Sequence, residues 1–113
     1  NKKNKEWEDR YCVLICGQQD VSFAYLLDLY ESRDAAAAHE DPLQRVHVTN
    51  AECAFVQGTV FTIKTSGELN KKGMTHFLST ETELEVKGWL SALELVPEVS
   101  VNWVGKDGTE LAH

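Results

Sequence analysis

The residues "TETELEVKGWLSALELVP" (80–97) carry the strongest helical pattern in the chain and separate its strand-like part from its tail. Val86, Trp89, Leu90 and Leu93 recur at the i, i+3, i+4 and i+7 spacing of an amphipathic helix. Because these four side chains form one apolar stripe, the helix needs a hydrophobic surface to cover. The pattern therefore predicts a helix with Trp89 and Leu93 in the structural core.

Both ends of this helix have sequence signals. Ser79 or Thr80 is predicted to be the N-cap, and Thr80 and Glu83 have the spacing of a capping box. Pro97 is predicted to end the helix. Gly88 costs about 1 kcal/mol relative to alanine inside a helix, which predicts that another group approaches closely there.

Before the helix, the sequence follows the two-residue period of β-strands. In "TVFTIKTSG" (59–67), Phe61 and Ile63 alternate with polar residues, so both are predicted to point into the core. The run 11–16 is apolar throughout, which is typical of a strand that is buried on both faces, and Gly17 is predicted to end it.

Three further segments are less regular. The residues "VSFAYLLDLYES" (21–32) alternate at first, and the pair Leu26 and Leu27 predicts a bulge, with a helix as the alternative. The polar segment 33–42 is predicted to be a loop, with one turn of helix over its alanines as the alternative. The segment 43–57 is predicted to be one strand with a kink and a short continuation.

These patterns define a fold class. A last short strand, "MTHFLST" (74–80), precedes the helix, and the tail contains a further alternating piece from Val99 to Trp103. The sequence thus predicts a mostly β fold of antiparallel strands with one helix near the C-terminus. In this arrangement the helix caps one open end of a strongly bent sheet.

Length and charge exclude several classes of protein. The 113 residues correspond to one domain, and their composition is ordinary for a globular protein. The net charge of −7 argues against a nucleic-acid binder, which needs a broad basic surface. No apolar run is long enough to span a bilayer, so the chain is predicted not to be transmembrane.

The chemistry-bearing residues do not form a recognisable catalytic or metal-binding pattern. Cys12, Cys16 and Cys53 are an odd number and do not have zinc-ligand spacing, so they are predicted to be buried, reduced thiols of a cytosolic protein. The four histidines are scattered, and no nucleophile-elbow, P-loop or metalloprotease motif occurs. We therefore expect no enzymatic activity, no metal and no cofactor.

The order of these segments, together with particular residues, resembles the pleckstrin homology domain. Trp89, followed by Ala92 and Leu93, matches the tryptophan and the Ala-Leu pair of the family's final helix. The resemblance covers roughly residues 5 to 95, with a domain predicted over 1–96 and a C-terminal extension over 97–113. The matching pieces are Trp7 followed by "RYCVL" (10–14), "LYES" (29–32), "FTIKT" (61–65), "HFLST" (76–80) and "TETELEVKGWLSAL" (80–93).

The resemblance implies a barrel-like sandwich of two bent antiparallel sheets, with seven strands and one capping helix. It also implies a non-catalytic recruitment module of a larger cytoplasmic signalling, trafficking or cytoskeletal protein. The family's first strand is not identifiable, because only "NKKNKE" precedes Trp7. We expect either that this strand lies upstream of residue 1 or that the strand-like tail replaces it by pairing with residues 11–16.

The family's lipid binders hold inositol phosphates with basic residues near the start of their second strand, where Arg10 stands here. Glu8 occupies another basic position of that motif, and Asp9 lies between them. Because carboxylates repel phosphate, we expect Arg10 to pair with an acid rather than with a headgroup. The alternative is a phosphoinositide-binding domain at the inner membrane surface, with the candidate ligands Lys3, Lys5, Arg10, Lys71 and Lys72.

The first expectation is instead a protein partner, with weak contact to anionic phospholipid at most. The resemblance extends more weakly to phosphotyrosine-binding domains, in which a peptide adds as a strand beside the final helix. The acidic helix surface, with Glu81 and Glu85, would select basic partners. Trp103 is predicted either to anchor a partner or to pack on the barrel.

Overall fold

The computed structural model describes residues 7–19, 22–65, 73–106, 108 and 110–111. The chain forms two compact units, Asn1–Val46 and His47–His113. The described residues form seven strands in two sheets, with a twelve-residue helix near the C-terminus. The prediction of a mostly β fold with one C-terminal helix is confirmed at this level.

The first unit consists of a three-stranded sheet and one short helix. Its strands are β1 (Tyr11–Gln19), β2 (Ser22–Tyr30) and β3 (Gln44–His47), which reaches the unit boundary, and their order in the sheet is β1-β2-β3. Helix α1 (Arg33–Ala37) lies between β2 and β3. The Ser32 hydroxyl caps this helix by accepting a hydrogen bond of 3.1 Å from the Ala35 amide. Of the two alternatives for this segment, the helical turn is the one that forms.

Strands β1 and β2 form one continuous antiparallel ladder. The register runs from Tyr11 opposite Tyr30 to Gln19 opposite Ser22 without a shift. The predicted bulge at Leu26 and Leu27 is therefore wrong, as is the helical alternative. Both leucines are buried, so two consecutive apolar residues are accommodated by burial on both faces rather than by a bulge. The predicted end at Gly17 is also wrong, because β1 continues for two further residues.

The second unit contains a four-stranded sheet and the longer helix. In chain order its elements are β4 (Glu52–Gln57), β5 (Val60–Lys64), β6 (Thr75–Ser79), α2 (Glu83–Glu94) and β7 (Ser100–Asn102), and the strand order is β6-β5-β4-β7. The segment predicted to be one kinked strand over 43–57 is divided between β3 and β4, which belong to different sheets. Between them the chain turns at Asn50, whose φ of 66° is left-handed.

The core of the second unit lies on one face of its sheet. Phe61 and Ile63 on β5 are 1% and 0% exposed, and Leu93 on α2 is 0% exposed, which confirms these three as core residues. Trp89 is only half-buried, so its assignment to the interior of the core is wrong. The fully buried stripe of α2 consists of Val86, Leu90 and Leu93, and Trp89 lies beside it.

Helix α2 begins later than the capping pattern predicted. Its N-cap is Thr82, whose hydroxyl accepts a hydrogen bond of 3.2 Å from the Glu85 amide. The predicted caps at Ser79 and Thr80 are wrong because the sheet still holds the chain there: the Thr80 amide donates to the Thr59 carbonyl at 3.0 Å. No described group lies within 4 Å of a β-carbon built on Gly88, so the predicted close approach is also wrong.

The tail forms an edge strand of the second sheet. Strand β7 pairs in parallel with β4, with Val101 opposite Cys53. Beyond it, Trp103 and Leu111 are 8% and 5% exposed. The hypothesis that the tail pairs with residues 11–16 is wrong. The Ser100 amide donates a hydrogen bond of 3.1 Å to the Ala51 carbonyl, and the tail therefore runs along β4.

Candidate interaction surfaces

Arg10 stands at the entrance of β1 and is held by its two neighbours in sequence. Its Nη2 atom donates to Glu8 Oε1 at 2.8 Å, and its Nη1 atom donates to the Asp9 carbonyl at 2.7 Å. The side chains of Arg10 and Glu8 are 31% and 71% exposed. The predicted ion pair is confirmed, and a phosphate that bound Arg10 would have to compete with Glu8.

The other predicted headgroup ligands are Lys3, Lys5, Lys71 and Lys72, and all four lie outside the described residues. Only Arg10 of that set is therefore placed. The Arg10 guanidinium already has a carboxylate partner, so the described residues do not provide a cluster of free cations for a headgroup.

Sequence reasoning missed an ion pair of the first unit in which a buried aspartate meets a half-exposed arginine. The guanidinium of Arg45 on β3 makes a bidentate contact with the carboxylate of Asp28 on β2. Its Nε atom donates to Oδ1 at 2.7 Å, and its Nη2 atom donates to Oδ2 at 2.9 Å. Asp28 is 1% exposed, whereas the Arg45 side chain is 47% exposed. The hydrogen bonds and the charge of Asp28 raise the pKa of Arg45 further above its usual range. The sequence did contain a sign of this pair. A single aspartate stands in the otherwise apolar run 24–30, and a buried carboxylate normally has a charged or hydrogen-bonding partner.

The side of α2 that points away from the core presents an exposed apolar stripe. Leu84 and Leu95 are 74% and 85% exposed. Gly88 and Ser91 lie between them, and the 4-3-4 spacing of these four residues places them along one face of the helix. We call these residues the α2 outer stripe. It provides two large apolar side chains at its ends and little bulk at its centre.

Glutamates frame this stripe on both sides. At helical spacing, Glu85 lies along one border, and Glu83, Lys87 and Glu94 lie along the other. Glu81 precedes the N-cap Thr82, and all four glutamates are exposed. The Glu85 carboxylate also accepts a hydrogen bond of 3.0 Å from the Glu81 amide, which stabilises the start of the helix. The predicted protein-binding candidates Glu81 and Glu85 are thus brought together beside the exposed leucines, which sequence reasoning did not single out.

Trp103 belongs to the interior of the second unit. The residue is 8% exposed, and its Nε1 atom donates to Glu94 Oε2 at 3.3 Å. The packing alternative is therefore the one that forms, and the ring is not an exposed anchor for a partner. Buried tryptophans usually satisfy their N–H group in this way.

The second sheet carries a shallow groove of about 320 Å³ with a mixed polar and apolar lining. Glu52 and Lys64 are cross-strand neighbours in its lining, and Thr62 and Asn102 add hydrogen-bonding groups. No set of three metal-ligating side chains comes together within the described ranges. The groove can accept polar contacts, but it has no feature that selects one ligand.

The three thiols differ in their surroundings. Cys53 is buried, and this burial raises its pKa to about 11. Cys12 is half-buried, and desolvation raises its pKa above the usual range. Cys16 is exposed on β1, so the prediction of buried thiols is wrong for this residue. All three are free.

Comparisons of the chain with protein-family models, curated proteins and solved structures give no significant match. Within the part of the chain that the structure describes, no helix has the length and apolar character needed to cross a bilayer.

Proposed function

We propose that this chain is a non-catalytic interaction module of the pleckstrin-homology type, which recruits a protein partner through the α2 outer stripe. The order of strands followed by a helix, and the residues of the helix, support the resemblance on which the first part of this proposal rests. In this proposal the module belongs to a larger cytoplasmic protein and carries out recruitment, without chemistry of its own.

The observation that carries the proposal is the exposure of Leu84 and Leu95 on one helix face. Full burial of a leucine side chain contributes roughly 1.5–3 kcal/mol, so two leucines in one stripe provide a substantial apolar contribution to binding. Gly88 and Ser91 leave room between them, which lets a partner's backbone come close. A helix that lays its own apolar side chains across the stripe fits this shape.

Charge adds a second requirement for the partner. Three exposed glutamates of α2 border the stripe, a fourth, Glu81, precedes the helix, and the chain as a whole has a net charge of −7. A partner helix with lysine or arginine on both sides of its apolar face would complement this frame and gain association rate from it. We therefore propose a basic amphipathic helix as the kind of partner segment.

Peptide display tests this proposal directly. A library of randomised helical peptides is selected on the wild-type chain, and the enriched peptides are measured against the double variant Leu84→Glu, Leu95→Glu. We expect enriched peptides with apolar residues at helical spacing and basic flanks, and a loss of affinity of at least about tenfold in the variant. Leu43→Glu is the matched control, because Leu43 is likewise an exposed leucine, 56% exposed, and belongs to the first unit rather than to α2.

Two results would contradict this surface. Enriched peptides that bind the double variant as well as the wild type would show that the stripe is not the site. Peptides without basic flanks would remove the electrostatic part of the proposal. Circular dichroism of the variants establishes that each one is folded before binding is compared.

The alternative is a phosphoinositide-binding domain that acts at the inner membrane surface. The Arg10–Glu8 pair weighs against it, because a headgroup would have to displace a carboxylate at 2.8 Å. Sedimentation with liposomes, with and without phosphoinositides, separates the two functions. Saturable binding to one phosphoinositide that is lost in Arg10→Ala would establish the alternative. Binding that follows total anionic charge, or no binding, would exclude it.

A further inference from the structure

One border of the α2 outer stripe is mixed in charge. It contains Glu83, Lys87 and Glu94, and Lys87 is the only basic residue of α2. Glu83 lies one turn before the lysine, at the start of the helix, and Glu94 lies two turns after it. On the opposite border Glu85 is the only charged residue of the helix. The two borders therefore present different charge patterns to a partner.

Two of the carboxylates beside the stripe already have a partner within the chain. Glu85 accepts a hydrogen bond of 3.0 Å from a backbone amide, and Glu94 accepts one of 3.3 Å from an indole N–H group. Glu83 and Lys87 differ from them, because within the part of the chain that the structure describes neither side chain makes a hydrogen bond or an ion pair. One negative and one positive group are thus available on the same border.

A partner that covers the stripe would remove water from both of these groups. Leu84 and Leu95 are eleven residues apart, which corresponds to roughly 16 Å along the axis at about 1.5 Å per residue. A helix that buries both leucines therefore runs alongside Glu83 and Lys87. Because a charge that loses water without gaining a partner weakens association, the bound helix has to offer each of them a group of opposite charge.

We propose that the partner helix carries an acidic residue against Lys87 and, one turn away, a basic residue against Glu83, and that it lies antiparallel to α2. This pairing rests on the proposed function, because it concerns the partner of the same stripe. In an antiparallel pair, the group that faces Lys87 comes earlier in the partner's sequence than the group that faces Glu83. The acid then precedes the base by four residues, which is the order that also stabilises the partner's own helix.

A charge exchange on α2 tests this pairing. The double variant Glu83→Lys, Lys87→Glu keeps the composition, the net charge and both exposed leucines, and it reverses only the order of two charges. Peptides enriched on the wild type are expected to carry an acid four residues before a base on one flank. By fluorescence polarisation they are expected to bind the exchanged chain at least about tenfold more weakly. The same peptides with acid and base exchanged are expected to show the opposite preference.

A second charge exchange in the same unit is the matched control. Glu52 and Lys64 are exposed and lie opposite each other on β4 and β5. The variant Glu52→Lys, Lys64→Glu also keeps the composition and the net charge, and it is expected to leave peptide affinity unchanged. Similar losses in the two exchanges would show that the peptides respond to the general field of the unit, and would overturn the pairing.

A single neutral substitution covers the case in which the exchanged chain is less stable. Glu83→Lys puts a cation in the first turn of the helix, where the helix dipole disfavours it. Lys87→Gln leaves that turn intact and removes only the positive charge. Replacing the peptide's acid by glutamine is expected to weaken binding to the wild type, and this difference is expected to disappear in Lys87→Gln. An acid that can be replaced without effect on the wild type would overturn the pairing.

A nitroxide label at the N-terminus of an enriched peptide reports the orientation. In the antiparallel complex the label lies near the C-terminal end of α2, so the amide NMR signal of Leu95 is expected to broaden and that of Leu84 to remain sharp. Broadening at Leu84 instead would overturn the antiparallel arrangement.

Failure of the pairing is distinguishable from failure of the proposed function. Peptides that bind the exchanged chain as well as the wild type, but lose affinity for Leu84→Glu, Leu95→Glu, would leave the stripe as the site and overturn the pairing alone. Peptides that also bind Leu84→Glu, Leu95→Glu as well as the wild type would overturn the proposed function, and the pairing with it.

Discussion

Two arginine–carboxylate pairs in the first unit have nearly the same length but very different surroundings. Arg10 and Glu8 meet at 2.8 Å at the entrance of β1, where both side chains are partly exposed. Arg45 reaches Asp28 at 2.7 and 2.9 Å, and there the carboxylate is 1% exposed. The first pair joins residues two apart in sequence, and the second joins residues seventeen apart.

This difference shows that the weight of an ion pair follows its burial rather than its distance. An exposed pair is screened by water and contributes at most about 1 kcal/mol. A buried carboxylate that loses its partner keeps its desolvation cost without the compensating attraction. We therefore expect the loss of Arg45, whose partner is buried, to destabilise the chain more than the loss of Arg10, whose partner is exposed.

The largest effect is expected from Arg45→Ala. This change leaves the buried carboxylate of Asp28 without its two hydrogen bonds, so the free energy of unfolding should fall by more than in any of the variants that follow. Urea denaturation followed by circular dichroism measures the loss. The double variant Asp28→Leu, Arg45→Met should recover most of it, because no buried charge remains. A loss below about 1 kcal/mol in Arg45→Ala would mean that Asp28 does not depend on this partner.

A smaller effect is expected from Gly105→Ala, which tests a tertiary close approach rather than a charge. A β-carbon at this position would press on the Val56 carbonyl oxygen and lie 3.2 Å from two ring carbons of Phe55. Overpacking of this kind typically costs about 1–3 kcal/mol. Thermal unfolding measures it, and a melting temperature equal to that of the wild type would show that the tail shifts away without cost.

Gly88→Ala is expected to have the opposite sign. Open space surrounds this position on α2, so the added methyl group meets nothing while the helix gains propensity. The free energy of unfolding should rise by up to about 1 kcal/mol. Thermal unfolding under the same conditions as for Gly105→Ala measures the change and makes the two glycines a matched pair. Destabilisation would mean that a neighbour does approach Gly88, as the sequence alone predicted.

The smallest effect is expected from Arg10→Ala. Its partner Glu8 remains solvated when the arginine is removed, so the loss should stay below about 1 kcal/mol. Because salt screens exposed charges, the loss should shrink further between 0.05 and about 1 M sodium chloride. Measurement of Arg45→Ala under the same conditions completes the comparison. A loss for Arg10→Ala that equals that of Arg45→Ala would contradict the distinction between the two pairs.

The sequence predicted the features that depend on neighbours along the chain. The alternation around Phe61 and Ile63 identified their buried face, and the acids beside Arg10 predicted that it pairs with a carboxylate, without deciding which one. Each of these follows from local spacing, since side chains two residues apart on a strand share a face and adjacent charges meet wherever the chain goes. The capping of α2 shows where local reading fails, because the bond from Thr80 to Thr59 delays the start of the helix.

For the candidate surfaces, the sequence identified the glutamates of α2 but not the leucines between them. By residue type, Leu84 and Leu95 would be expected in the core. Only the packing of the sheet against the other side of the helix leaves them exposed. Trp103 looked like a possible anchor and is buried, because β7 runs beside β4. Exposure is a property of the packed chain, so it cannot be read from residue type alone.

The sequence by itself determined the class of fold, the core face of β5, three of the four residues of the predicted α2 stripe and the pairing of Arg10 with an acid. Only the tertiary structure decided that Asp28 and Arg45 meet, that the tail joins β4 and that Leu84 and Leu95 remain exposed. The physical reason is the range of the interactions. Periodicity and short-range charge act along a few residues, whereas burial depends on which distant segments of the chain come to lie side by side.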